Sequence, residues 1–434
     1  MSKRTVYRFL VFCLFVVNMV SAQDTVRIMA YNILNFDISD TSRHPFYRTV
    51  IQNSNPDILV VEEILSQNAV NNLRDRVLNT LGIGSFSAGT FINGFDSDNA
   101  IFFKSSKFIF ISNTPIHTEL RDINEFKVVH IATSDTLRLY AVHLKANNTS
   151  ADQQQRAREV DSLRKVTNAL PLSSNFIVLG DFNIYGANEP AYQKLLQVIS
   201  GNEGHFIDML NLPGSWNNST YAIYHTQSPR VRAFGGGSTG GMDDRFDMIL
   251  YSKAVSDPGI ITIIQQSLKS YGNDGNHFND SINRPPNQAV GQFIADALHY
   301  GSDHLPILAL FKFENPIGIL PITNEIPNGF KLYQNYPNPF NPSTKIKFEI
   351  PLLRGLPAEV SAQAGVDAKG GRGVFVSLKI YDILGRQIAS LVNEKLSPGT
   401  YEVIFDATKY SSGMYFYRIT AGDYIETKRM ILVK

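Results

Sequence analysis

The sequence predicts a large α/β domain followed by a small all-β domain, and three observations predict it. Across residues 25–313, short apolar runs rich in β-branched and aromatic residues alternate with helical patches. At residues 314–330 the composition turns to a Pro/Ile/Asn-rich connector, ENPIGILPITNEIPNGF. Beyond it, strand-like runs recur at the spacing of a β-sandwich.

The N-terminus reads as a processing signal. Lys3, Arg4 and Arg8 precede an apolar run over residues 9–20, and Val20-Ser21-Ala22 resembles a small-residue cleavage site. Residues 1–22 are therefore expected to be a signal peptide cut after Ala22. An uncleaved anchor is the alternative, but the run is shorter than the roughly 20 residues of a membrane span. The single cysteine, Cys13, lies inside this segment. A mature chain without thiols has no disulfide, thiolate zinc site or cysteine nucleophile. No other stretch is long and apolar enough to cross a bilayer, so no stable membrane insertion is expected.

In the large domain, VRIMAYNIL, DILVVEEI, NAIFFK, FIFIS, KVVHIA, LRLYAVHLK, NFIVLGDF, RFDMILYS and LPILALF read as strands. Residues 153–169 and 190–199 read as helices. In the tail, KIKFEI, VFVSLKIYDI, RQIASLV, GTYEVIFDA, GMYFYRIT and YIETKRMILVK read as strands, with an Ala/Gly-rich insertion loop at residues 352–373. The expected divisions are a catalytic domain over 23–313, a linker over 314–333 and a β-sandwich over 334–434.

With 43% hydrophobic and 18% charged residues the chain supports an ordinary core, and a net charge of +1 marks no global affinity for nucleic acid or membrane surfaces. The large domain carries about five more acidic than basic side chains.

Six strand ends carry polar residues. FIVLGDFNIYG ends a core strand in Asp181 and Asn183, which an extended chain would aim to one side while Phe182 turns inward. Asn32 interrupts the first strand. Glu62 and Glu63 close an apolar run on opposite faces, and a carboxylate there needs a partner or a hard cation, which takes oxygen ligands. His143 ends another strand. Asp247 directly precedes one, and is preferred over Asp244 for that reason. Asp303 and His304 stand before the last strand, where a carboxylate such as Asp247 would fix the tautomer of His304. Taken singly, Asn32 reads as a turn residue, His143 as a structural histidine and Asp303-His304 as a capped turn.

Jointly and in order, YNIL, PDILVVEE, AVHL, GDFN, RFDMIL and SDHLPI resemble the motifs of the endonuclease/exonuclease/phosphatase superfamily, in its deoxyribonuclease-like form. The resemblance covers nearly all of residues 25–313. It implies a four-layer sandwich of two packed mixed β-sheets flanked by helices, with the active residues on strand ends at one edge. It also implies metal-assisted hydrolysis of a phosphoester. The second motif usually ends in Gln-Glu, which assigns the metal role to Glu63 and not Glu62. On this resemblance Asn32, Glu63 and Asp303 hold Mg²⁺ or Mn²⁺, while Asp181 and Asn183 position water and phosphate. Asp247 holds His304 as base or phosphate-binding imidazolium, and His143 serves a phosphoryl or leaving oxygen. A structural Ca²⁺ is not decided by the sequence.

The substrate expected is extracellular DNA or RNA, cut by a monomeric enzyme. A sphingomyelinase-like phospholipid phosphodiesterase shares the same motifs and is the alternative. An aromatic-tipped exposed loop would favour it, and none is evident in the sequence. A catalytically dead surface adhesin is the reading from another class, and the presence of every core motif opposes it.

LYQNYPNPFNPSTKIKFEIP and the terminal KRMILVK resemble a type A C-terminal sorting domain of the type IX secretion system, over residues 330–434. The implied partner is that secretion machinery, and the implied destination is the cell surface or the medium. An ordinary carbohydrate-binding or Ig-like module is the alternative for this tail.

Overall fold

Among the described residues, thirteen strands carry the larger unit of the computed structural model, and most of them are the apolar runs named above. The strands are β1 (Gln23–Phe36), β2 (Ile58–Ile64), β3 (Phe86–Ala88), β4 (Asp98–Lys104), β5 (Phe108–Ile116), β6 (Ile123–His130) and β7 (Thr136–His143). They continue with β8 (Phe176–Asp181), β9 (Phe206–Ile207), β10 (Asp247–Ser252), β11 (Ile261–Ile263), β12 (Lys269–Ser270) and β13 (Ile307–Glu314). The structure describes residues 23–80, 82–133, 135–233, 235–256, 260–314, 320–323, 327–352, 374–396 and 398–434. The expected signal peptide and nearly all of the expected insertion loop lie outside them. The chain divides into two units, Asp24–Glu314 and one that includes residues 315–434.

In the larger unit one sheet has the order β11-β13-β1-β2-β4-β3, with β12 paired to β13, and the other the order β5-β6-β7-β8-β10-β9. Strand alternation explains how they pack. Ile28 and Ala30 of β1, Ile58 and Val60 of β2, Leu139 and Ala141 of β7, and Ile177 and Leu179 of β8 meet between the sheets. Their neighbours point outward. Met29, Leu59 and Val61 pack with Tyr47, Val50, Ile51 and Leu298 of the helices His44–Ser54 and Gln292–Gly301. Tyr140, Val142, Val178 and Leu250 pack with Val160, Leu163 and Leu195 of the helices Ser150–Thr167 and Pro190–Leu196. Strands buried on both faces read as continuous apolar runs rather than alternating ones. The result is helix, sheet, sheet, helix: the four-layer sandwich of mixed sheets that the motifs imply.

The helices depart from the sequence reading. His44–Ser54, Gln67–Asn72 and Gln292–Gly301 were not expected. In the first, Thr49, Val50 and Ile51 are β-branched, and helical spacing is legible only in Tyr47, Val50, Ile51 and Ser54. Ser150–Thr167 begins three residues before its expected start. A capping box sets that start, with the Asp152 N–H donated to Thr149 Oγ1 and the Thr149 N–H to the Asp152 carboxylate.

Strand direction gathers the polar ends. β1 runs parallel to β2 with Asn32 beside Glu62, and β7 runs parallel to β8 with His143 beside Asp181. β10 runs antiparallel to β8 with Asp247 beside Asp181, and β4 antiparallel to β2 with Asp98 beside Ile64. The carboxyl ends of β1, β2, β7 and β8 therefore lie at the same edge as the amino ends of β10 and β4.

The smaller unit holds β14 (Leu320–Thr323), β15 (Lys331–Leu332), β16 (Ser343–Ile350), β17 (Val374–Tyr381), β18 (Gln387–Leu396), β19 (Gly399–Asp406), β20 (Gly413–Ala421) and β21 (Tyr424–Leu432). They form two four-stranded sheets, β14-β19-β16-β15 and β18-β17-β20-β21. Ile346, Phe348, Val376, Leu378, Val403, Phe405, Tyr417 and Ile419 fill the core. β14 and β15 belong to the segment expected as a linker, so part of it is sheet. No helix among the described residues is long and apolar enough to cross a membrane.

Candidate active site

Asp181 stands at the centre of the gathered strand ends. It is 2% exposed, and its Oδ2 lies 3.3 Å from Asn32 Nδ2, 3.6 Å from His143 Nε2 and 3.7 Å from His304 Nε2. Burial is the largest influence on its carboxyl. His304 pulls the other way, Asp247 and Glu63 add to burial, and the balance pushes the pKa up to about 7.

β8 stops at Asp181. Asn183 has φ +51°, its N–H is donated to Asp181 Oδ1 at 3.0 Å, and its Nδ2 to Leu144 O at 3.2 Å. Asn183 thus lies beside Asp181 through a tight turn, not through strand alternation, while Phe182 is buried in the outer core as expected. The glycine of GDFN has a steric cause. A Cβ at Gly180 would stand 2.3 Å from Val142 O and 2.7 Å from Glu62 Oε1, and its φ is +124°.

His304 gives Nδ1 to Asp247 Oδ2 at 2.7 Å, and both side chains are almost fully buried. Burial lowers the His304 pKa, but the carboxylates of Asp247 and Asp181 outweigh it and hold the pKa well above the usual histidine value. The Gln227 carboxamide meets His304 Nε2 at 2.5 Å. An imidazolium Nε2–H takes the oxygen of that carboxamide, whereas a neutral Nε2 accepts from its nitrogen. Gln227 was missed by the sequence reading. It sits in an irregular segment that bridges to both Asp244 and His304, which no periodicity announces. Asp247, and not Asp244, is the carboxylate that meets the His304 ring. Arg245, two residues earlier, is occupied elsewhere, giving two hydrogen bonds to Asp208 beneath Trp216.

His143 brings Nε2 within 3.6 Å of Asp181 and 3.8 Å of Glu63. Burial, then the positive charges of Arg121 and His304, push its pKa well below the usual value, so it is neutral. The chain after it is fixed by buried Arg156, which gives Nη1 to the carbonyls of Lys145 and Asn147 and pairs with Glu189.

The two glutamates part at a left-handed residue. Glu63 has φ +60°, which turns its side chain to the mouth of the site, where it accepts Asn32 Nδ2 at 3.0 Å and the Asn35 N–H at 2.9 Å. Glu62 points between the sheets, is fully buried, and neither oxygen has a hydrogen-bond partner among the described residues. Burial, then Asp247 and Asp181, raise its pKa well above the usual carboxyl range and favour its neutral form.

Asn32 turns its nitrogen to Glu63 and Asp181, and its Oδ1 accepts the Leu34 N–H at 3.0 Å. It ties the two carboxylates together, with its oxygen engaged by the backbone. Ser302 binds the Asn32 carbonyl at 2.6 Å, joining the last motif to the first. Asp303 accepts the Ser238 N–H on Oδ2 at 2.5 Å, and its Oδ1 is buried without a partner among the described residues. The glycine-rich segment lies directly over it, since a Cβ on Gly237 would stand 2.6 Å from the Asp303 carboxylate.

Among the described residues no three His, Cys, Asp or Glu side chains converge to cage an ion. The available donors are nevertheless oxygens, the Glu63 carboxylate at the mouth and the orphaned Asp303 Oδ1, and oxygen is the donor type that a hard cation such as Mg²⁺ or Mn²⁺ takes.

The comparisons agree with this architecture. Residues 29–304 match the Endonuclease/Exonuclease/phosphatase family, and the chain belongs to that family. Residues 334–434 match the secretion system C-terminal sorting domain. No curated protein matches the chain. Among solved structures it is similar to D. rerio TDP2 complexed with single strand DNA product, at 17% identity and a TM-score of 0.45, covering 66% of this chain and 98% of that one. It is similar to an endonuclease/exonuclease/phosphatase family protein from Bacteroides thetaiotaomicron, at 15% identity and TM-score 0.42, covering 68% and 97%. The human Nocturnin catalytic domain is similar at 17% identity and TM-score 0.41, covering 67% and 96%. Membership makes the chain a phosphoester hydrolase carrying a secretion sorting tail.

Proposed function

We propose that the chain is a secreted, divalent-metal-dependent phosphodiesterase that hydrolyses extracellular DNA or RNA by attack of water on phosphorus. The observation that carries this reading is the single buried group formed by Asp181, Asn32, His143 and the Asp247–His304 pair, with Glu63 at its mouth.

Glu63 and Asp303 are the residues that would hold Mg²⁺ or Mn²⁺, an ion that supplies neutralisation of charge on the phosphoryl group. Asn32 orients Glu63 and Asp181. Asp181, with a carboxyl pushed up to about 7, is suited to take a proton from the attacking water near neutral pH. His304, kept cationic by Asp247 and held at Nε2 by Gln227, sets a positive charge beside the phosphoryl group. Neutral His143 gives a hydrogen bond to a phosphoryl or leaving oxygen, and Asn183 fixes the Asp181 carboxylate from the other side.

The tail supports export through the type IX secretion machinery to the surface or the medium, with the signal peptide of residues 1–22 giving entry to the periplasm. The enzyme acts as a monomer.

The test is the full-length protein assayed on plasmid DNA, RNA, sphingomyelin and a simple phosphodiester, with Mg²⁺ or EDTA, alongside Asp181→Ala and His304→Ala. EDTA-sensitive cutting of nucleic acid that both variants lose is the expected result. Cleavage of sphingomyelin alone transfers the same site to a phospholipid substrate. Silence on every substrate by folded protein overturns the reading.

A further inference from the structure

The segment 89–97 between β3 and β4 carries Phe95, which is 95% exposed, the most exposed large apolar residue described. The sequence shows no such loop plainly, and an exposed aromatic tip is the feature named above as favouring a phospholipid substrate, so its surroundings have to decide its occupant. Its position is set by register. Asp98, three residues on, is paired with Ile64, the residue after Glu63. Phe95 therefore stands at the catalytic edge. Two other exposed apolar side chains occupy neighbouring strand ends there: Leu65, 38% exposed, after β2, and Ile38, 51% exposed, after β1.

The segment is tied down on both sides of the ring. Gly94 gives its N–H to Asp98 Oδ1 at 2.8 Å, and Thr90 O accepts Asn113 Nδ2 at 2.9 Å. Phe91 packs into the outer core. Asp96 pairs with Arg121 Nη2 at 2.7 Å. Arg121 lies just before β6, whose Asn124 is paired with Ala141, two residues before His143. This ion pair thus joins the strand ends that carry Glu63 on one sheet and His143 on the other. The ring is held out into solvent by a braced loop, beside the place where a phosphate would be cut.

We propose that Phe95 is a stacking platform for a base of a single-stranded polynucleotide whose scissile phosphate lies among Glu63, His143, Asp181 and His304. The inference rests on the phosphodiesterase reading of the site and names the substrate form. A base offers a flat face to any aromatic ring, and such a stack contributes enough to matter without sequence choice. The flanks of the ring argue against a membrane as its occupant. Asn93, Asp96, Ser97 and Asp98 flank it in the chain, so this loop tip offers a bilayer one apolar side chain among polar and charged ones. Stacking a base needs only the face of the ring. Duplex DNA, with its bases already stacked, gains little from it.

The test compares full-length wild type, Phe95→Ala and Phe95→Trp on a single-stranded oligonucleotide, on the same backbone with every base replaced by an abasic analogue, and on sphingomyelin vesicles. Binding is read separately by fluorescence anisotropy of the oligonucleotide in EDTA. Phe95→Ala is expected to weaken binding and raise KM about tenfold on the single strand, with kcat within about twofold, and to leave the abasic strand unchanged. Phe95→Trp should match wild type. Equal losses on the abasic strand, or no change on the single strand, overturn the stacking role while leaving the catalytic reading intact. Loss of vesicle binding without loss of oligonucleotide binding overturns it in favour of a lipid surface. Phe95-dependent binding by a protein that cuts no nucleic acid keeps the platform and removes the catalytic reading.

Discussion

His304 Nδ1 lies 2.7 Å from Asp247 Oδ2, and neither residue is more than 2% exposed in its side chain. Asp247 opens β10 beside Asp181 of β8, and His304 stands just before β13 of the other sheet, so the pair links the two sheets. Asp247 fixes the imidazole's orientation and favours its charged form. Asp247→Asn keeps the shape and removes the charge. It is expected to lower kcat by roughly 10²–10⁴-fold with a small change in KM, and to shift the pH profile of kcat because His304 loses its proton at lower pH. Steady-state kinetics from pH 5 to 9 check this. An unchanged profile would place the role of Asp247 in folding alone.

The strands were legible because strands buried on both faces are written as unbroken apolar text, and the site was legible because each such run ends in a polar residue. What was not legible depends on backbone that departs from the period. Glu62 and Glu63 enter one site from different sides because Glu63 has a left-handed φ, and Asn183 reaches it by the same device. Gln227 meets His304 through an irregular bridge, and Phe95 owes its exposure to a braced loop. The helix His44–Ser54 was missed because β-branched residues such as Val50 and Ile51 mask its helical period.

The two glutamates are expected to respond in opposite ways to the same substitution. Glu62 is buried without hydrogen-bond partners among the described residues and its neutral form is favoured, which brings it close to a glutamine, the residue usual at this place in the motif. Glu62→Gln should keep kcat within a few fold and raise stability at pH 8, where wild type meets the cost of a buried carboxyl that resists ionising. Glu63→Gln should lower kcat by about 10²-fold or more and weaken Mn²⁺ binding. Kinetics with Mn²⁺ titration by electron paramagnetic resonance separate the two, and an equal loss in both variants would refute the assignment.

Gly180 is expected to tolerate no side chain. The Cβ of Gly180→Ala would fall 2.3 Å from a backbone carbonyl, which cannot swing away as a flexible side chain can, and the φ of +124° adds strain. A loss of about 3 kcal/mol or more is expected from denaturant unfolding of the larger unit's transition. A loss below about 1 kcal/mol would show that β8 shifts freely, and then the placement of Asp181 could not depend on this contact.

Asp244 provides the pH test of stability. Burial, with Asp243 adding, pushes its carboxyl up to about 7 from an ordinary 3.8, and Oδ1 has no partner among the described residues. The unfolded chain releases this proton near pH 4, while the folded chain keeps it to about 7. Between those values the folded state binds more protons, so stability falls as pH rises and then levels off. Asp244→Asn removes the effect. The variant should match wild type near pH 4 and exceed it by about 1–3 kcal/mol at pH 8, a range discounted for partial exposure of the site. Thermal unfolding of both proteins across that range reads the difference directly. A gap that is constant with pH would mean that Asp244 ionises normally in the fold and that its orphaned oxygen is satisfied by water.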